Sequence, residues 1–145
     1  MKKWDSVETL IDKGLVEDAF KELSQRPRPL SLDESFYLAY CQATLGHDFE
    51  AMNTLLELKE SCEEDCVKAT ISGFLADVLR NNGFINDALS EVKEAITLDP
   101  EDELIKALFD EIIDDWWDDN GNYVLLFTLL SVLRNRKKRA TKSAT

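Results

Sequence analysis

The 145-residue chain is predicted to be all-α, a helical-hairpin solenoid of about three repeats followed by a C-terminal helix pair. Three observations carry this prediction. First, 5 Gly and 3 Pro are too few turn residues for a sandwich or barrel of many short strands, and the long stretches between them favour helices. Second, Gly14, Gly46 and Gly83 are each followed five residues later by an alanine (Ala19, Ala51, Ala88), and four residues after that by an aliphatic residue (Leu23, Leu55, Val92). Third, helix-start signals punctuate the chain. Ser31 with Glu34 and Ser61 with Glu64 have capping-box spacing, and Asp99-Pro100-Glu101-Asp102 combines an N-cap, a first-turn proline and acids that complement the helix dipole.

In order along the chain, helices are predicted near 4–13, 15–25, 33–45, 48–61, 65–82, 84–98, 101–118 and 123–137. Each glycine ends a helix in left-handed geometry, and each alanine lets the next helix approach closely. Gln25-Arg26-Pro27-Arg28-Pro29 is the proline-bearing connector, extended because a residue before proline avoids helical geometry. Tyr123 to Leu133 has enough apolar and β-branched residues to suit a strand as well as a helix. A boundary at 119/120 divides a repeat domain (1–119) from an apolar C-terminal helix with a basic tail (120–145).

The repeat extends beyond the glycines. Leu38-Ala39 and Leu75-Ala76 stand at equal distances before Gly46 and Gly83, and the third copy continues to Ala95 and Pro100. In these residues the chain resembles the tetratricopeptide repeat, over roughly residues 4 to 101. The third copy matches at Leu75, Ala76, Gly83, Ala88, Val92, Ala95 and Pro100. The second matches at Leu38, Ala39, Gly46, Ala51 and Leu55, with Leu58 and Glu63 in place of the later alanine and proline. The first is partial, with Ser6-Val7 in the Leu-Ala place and Arg26 in that of the later alanine. Glycine-to-glycine steps of 32 and 37 bracket the ~34 residues of the family.

Composition excludes several function classes. Twenty-nine acids against 17 bases give a net charge of −12, which disfavours nucleic acid as a partner. Met1-Lys2-Lys3-Trp4-Asp5 is not followed by an apolar run as a secretory signal would be, and Cys41, Cys62 and Cys66 are an odd count suited to reduced thiols, so a cytoplasmic location is expected. His47 is the only histidine and has no partner with which to build a metal site or nucleophile–base pair; its place beside Gly46 reads as turn polarity. Cys62 and Cys66, four apart, would share a face if they lay on one helix, but they lack the further ligands a zinc site needs. Asp114 to Asn122 is acid-rich but out of register for a calcium loop, because Trp116 and Phe127 fall where the terminal ligands belong. No glycine-rich phosphate loop is present. No enzyme, cofactor or metal is therefore predicted.

What remains is surface. The resemblance implies a groove lined by the first helix of each repeat, which includes Phe36 and Tyr40 in the second copy and Asp77, Arg80 and Asn81 in the third. Phe36 and Tyr40 replace the lysine and asparagine clamp of family members that bind acidic C-termini, so an apolar or aromatic segment is the expected occupant, and acidic rims favour a basic or neutral partner. Their spacing equally suits a place in the core. Trp116 and Trp117 are candidate anchors. Residues 134–145 hold six bases and no acid, whereas residues 1–133 hold 11 bases and 29 acids, a formal −18. Between these regions, Tyr123 to Leu133 is apolar all round as a helix and needs cover on every side, with Leu126 and Leu130 marking one face. At about 16 Å it is too short to span a bilayer as a straight helix. Its expected place is against the helix of Ile105, Leu108, Ile112, Trp116 and Trp117, with a second copy or a partner covering the rest. The predicted function is a non-enzymatic adaptor or small chaperone that binds a peptide or helix in an apolar, acid-rimmed groove. The alternatives are a membrane-proximal protein held by the apolar helix and basic tail, and a self-assembling module joined through residues 123–133.

Overall fold

Three glycines set the chain reversals. In the computed structural model, which describes residues 3–143, with side-chain surroundings for 7–118 and 128–139, Gly14, Gly46 and Gly83 have φ of +78°, +85° and +82°. A residue with a Cβ pays ~1–2 kcal/mol for that left-handed geometry. The backbone closes identically at each. The glycine N–H donates to the carbonyl three residues back (Ile11, Ala43, Arg80), and the following N–H donates to the carbonyl five back (Leu10, Gln42, Leu79). This is the Schellman pattern, which satisfies the last carbonyls of a helix. The residue after each glycine, Leu15, His47 or Phe84, has φ near −87° and ψ near 60°, and its carbonyl accepts the N–H of Ala19, Ala51 or Ala88 to start the next helix.

The described residues form seven helices and no strand: α1 (Lys3–Asp12), α2 (Val16–Ser24), α3 (Leu32–Thr44), α4 (Asp48–Ser61), α5 (Asp65–Asn81), α6 (Ile85–Leu98) and α7 (Glu103–Ser143). The strand alternative for Tyr123 to Leu133 is thereby overturned. Helices adjacent in sequence pack on each other, and α1 also touches α3 and α5 touches α7. Ala19, Ala51 and Ala88 are fully buried, as are Leu23, Leu55 and Val92, so each hairpin closes on its small residue. Rings join neighbouring turns, with Phe20 stacked on His47 at 6.0 Å and Phe49 edge-on to Phe84 at 6.5 Å.

Burial falls into three clusters, each made by one hairpin and the helix that follows it. The first joins Val7, Ala19 and Leu23 to Leu38 and Cys41 of α3. In the second, Ala39, Met52 and Leu55 meet Ile71, Leu75 and Val78 of α5. The third packs Ala69, Ala76, Ala88 and Val92 against Ile105 and Ile112 of α7. α3 and α5 are therefore buried on two faces. Burial pushes the Cys41 thiol pKa above its ordinary value, keeping it protonated.

Local signals were overruled at three points. Ser61 with Glu64 does not open a helix: Ser61 closes α4, its hydroxyl donates to Leu58 O at 3.0 Å, and α5 begins at Asp65 without a side-chain cap. Cys62 and Cys66 are consequently on different elements, the first buried at the end of α4 and the second exposed on α5. The last helix begins at Glu103 instead of Pro100, because the Asp102 carboxylate accepts the N–H groups of Leu104 and Ile105 at 2.9 and 3.1 Å. The predicted C-terminal pair is a single helix of 41 residues. One glycine inside a helix costs only about 1 kcal/mol, and no proline follows Pro100 to stop propagation through Asn120-Gly121-Asn122. Ile105, Leu108 and Ile112 accordingly pack against the α5–α6 hairpin and not against a later helix.

The capping box at Ser31 is present as predicted. Its hydroxyl accepts Glu34 N–H at 3.2 Å, and Glu34 accepts the Ser31 N–H at 3.1 Å. Arg26, in the connector, is buried and pairs with Glu34 at 3.0 Å and Glu22 at 3.6 Å, tying the end of α2 to the start of α3. The Ser31 backbone N–H, followed by the Arg26 guanidinium, holds the Glu34 carboxyl below its ordinary pKa.

Two outcomes follow from this packing. Ala88→Leu should overpack the third hairpin and cost ~1–3 kcal/mol, whereas Gly83→Ala, where an added Cβ meets nothing within 4 Å, should lose only the ~1–2 kcal/mol of backbone strain; urea melts of both variants check this. For Glu34, a lowered folded pKa means stabilisation that is complete above the unfolded value of about 4.3 and lost as pH falls through the folded one. The Tm gap between wild type and Glu34→Gln should therefore be widest near neutral pH and close on acidification.

Candidate functional site

The odd-numbered helices, left partly uncovered by the hairpins, surround an open cavity of about 620 Å³. α1 contributes Ile11. From α3 come Phe36, Tyr37 and Tyr40, at the i, i+1, i+4 spacing that puts them on one side of the helix. Thr70, Gly73 and Phe74, at i, i+3 and i+4, share one face of α5, and the start of α7 adds Asp102, Leu104, Ile105 and Leu108. Phe36 stacks on Phe74 with centroids 5.7 Å apart, and both rings rest on the second core cluster. Gly73 keeps this part of α5 low, and a Cβ there would sit 3.5 Å from Ile105 Cγ1. The walls are apolar to the lip: Leu104 is 83% exposed and Tyr40 41%.

Acids stand around this apolar surface. Asp102 lines the cavity itself. Burial, then the charges of Glu8, Asp33 and Asp12, push the Tyr37 phenol above its ordinary pKa, so it faces the groove protonated. The site can hold apolar side chains and attract positive charge. Among the described residues, no group of three or more His, Cys, Asp or Glu is arranged to hold a metal ion.

The residues singled out by sequence are distributed unevenly. Phe36 and Tyr40 line the cavity, and Phe36 also packs against the second core cluster. Asp77, Arg80 and Asn81 lie further along α5, outside the cavity lining. Arg80 is taken up within the chain: Nε donates to Asp115 and Nη1 to Glu111, each at 2.6 Å, clasping α5 to α7. Trp116 and Trp117 meet edge to face at 5.3 Å, and the Trp116 Nε1–H donates to Asn86 at 3.2 Å. Leu130 is exposed on the far half of α7, and the side chain of Leu126 lies outside the described residues. The surrounding side chains of 128–139 are all exposed, including Leu129, Leu130, Val132 and Leu133.

Ile11, Tyr37, Phe74, Leu104 and Leu108 were missed. A signal for two of them was present, since Tyr37 and Phe74 both stand nine residues before a turn glycine, directly after Phe36 and Gly73 in the repeat register. A second cavity, about 740 Å³, lies between the connector and α3–α4. Its walls mix polar and apolar groups, and Thr54 Oγ1 already donates to Gln42 Oε1 there at 2.8 Å. No protein-family model matches the chain, and no curated protein matches it.

The two aromatic residues should separate on truncation. Phe36→Ala, half-buried on the core, should cost about 2–3 kcal/mol, below the ~3–5 of a fully buried phenylalanine, while Tyr40→Ala should stay within about 1 kcal/mol of wild type. Thermal melts of the two variants measure the difference.

Proposed function

We propose that this chain is a non-enzymatic protein–protein interaction module, a tetratricopeptide-like adaptor or small chaperone, whose groove takes an apolar segment of a partner with basic flanks. The observation that carries the reading is the aromatic and aliphatic cavity among α1, α3, α5 and α7 with Asp102 at its lip. A surface of that kind is favourable to cover and is too apolar to be ordinary solvated face. The occupant suited to it is an amphipathic helix or extended peptide whose apolar side chains enter between Phe36, Tyr40 and Leu104, while lysine or arginine at its ends meets the surrounding carboxylates. The repeat register, the three left-handed glycines and the buried alanines support a tetratricopeptide-like kinship.

The exposed apolar and basic end of α7 favours a second reading, a module positioned at a membrane surface. Among the described residues, no helix is long and apolar enough to cross a membrane. The −18 charge of residues 1–133 works against approach to anionic lipid, so the protein-binding reading is preferred.

Selection of displayed random peptides on the immobilised chain tests the proposal. Enriched sequences should carry apolar residues three or four apart with lysine or arginine beside them, and Leu104→Glu should abolish their capture. Absence of enrichment, or capture indifferent to Leu104→Glu, would remove the groove as the site.

A further inference from the structure

α7 carries two surfaces of complementary character. Its first turns supply Leu104, Ile105 and Leu108 to the groove wall. Its far half presents Leu129, Leu130, Val132 and Leu133, all exposed, directly followed by the exposed bases Arg134, Arg136, Lys137, Lys138 and Arg139. The groove is apolar with carboxylates around it, whereas the projecting end is apolar with bases beyond it. Each is the chemistry that the other needs for cover.

The two surfaces cannot meet within one molecule. From Leu108 to Leu130 the helix runs unbroken over 22 residues, about 33 Å at 1.5 Å each, away from the groove. A continuous helix does not fold back on its own wall. We infer that the projecting end of α7 docks in the groove of a second copy of this chain, Leu129 and Leu133 entering between Tyr40 and Leu104 and the arginines and lysines meeting Asp102 and the acids near Tyr37. Each copy has one groove and one end, so reciprocal exchange closes a twofold dimer with no surface of either kind left over. Side-by-side pairing of two α7 helices would cover the leucines but leave both grooves open. The inference rests on reading the groove as a docking site and names its occupant.

Light scattering during size-exclusion chromatography of the full chain tests it, with circular dichroism confirming that every variant is folded. Wild type should be a dimer. Leu104→Glu in the groove and Leu129→Glu with Leu133→Glu on the end should each be monomeric; all three positions are exposed, and Tyr40→Glu is a second groove variant should Leu104→Glu misfold. Mixed together, the groove variant and the end variant should form a 1:1 complex, because one groove and one end remain intact. Dimerisation that survives both groove variants would mean α7-to-α7 pairing and overturn the inference. So would a monomeric wild type, whether or not it sediments with anionic vesicles, or a mixture that does not associate. A monomeric wild type that still captures basic-apolar peptides would leave the groove's binding role standing and remove only the second copy as occupant.

Discussion

The left-handed joint at Gly14, Gly46 and Gly83 is the constraint on which the remaining architecture depends. A glycine there reverses the chain over three residues while its own N–H and the next satisfy the carbonyls of the helix just ended. The same joint used three times gives three hairpins of nearly equal geometry, because the residue after each glycine takes the same φ and ψ. The odd helices α1, α3, α5 and α7 all contribute side chains to one cavity. A side chain ten residues before one glycine then lies near its counterpart in the next hairpin, which is how Phe36 and Gly73 come to line one cavity.

Packing follows from this order. A helix with a hairpin behind it and another ahead must be apolar on two faces, and α5 meets that demand with Ile71, Leu75 and Val78 on one side and Ala69 and Ala76 on the other. The last hairpin has no fourth hairpin to cover it. The first turns of α7 serve instead, with Ile105 and Ile112 closing the third cluster and Arg80 clasping Glu111 and Asp115. In a half-exposed setting such a clasp fixes orientation more than it adds stability.

Much of the fold was legible because its determinants are local. Helix ends at the glycines, the Ser31–Glu34 box and the buried alanines can each be read from a window of ten residues, and the four-residue spacing of Phe36 and Tyr40 puts them on one face. The failures share a different cause. Ser61 and Pro100 are local signals that lost to a neighbouring competitor, the Leu58 carbonyl in one case and the Asp102 carboxylate in the other. The gap expected between 118 and 123 does not interrupt the helix, since helix continuation depends on the sum over many residues. Arg26 and Arg80 find acids 8, 31 and 35 residues away, contacts that no spacing rule anticipates. Leu104 and Leu108 became groove wall only because α7 replaces a missing hairpin.

The continuity of α7 has a mechanical side. Leu104 and Leu133 ride on one axis, about 44 Å apart at 1.5 Å per residue. The Arg80 clasp grips this axis between them, at Glu111 and Asp115. With Ile105 and Ile112 buried at the near end, the packing of α7 on the third hairpin also fixes the direction in which the distal leucines project.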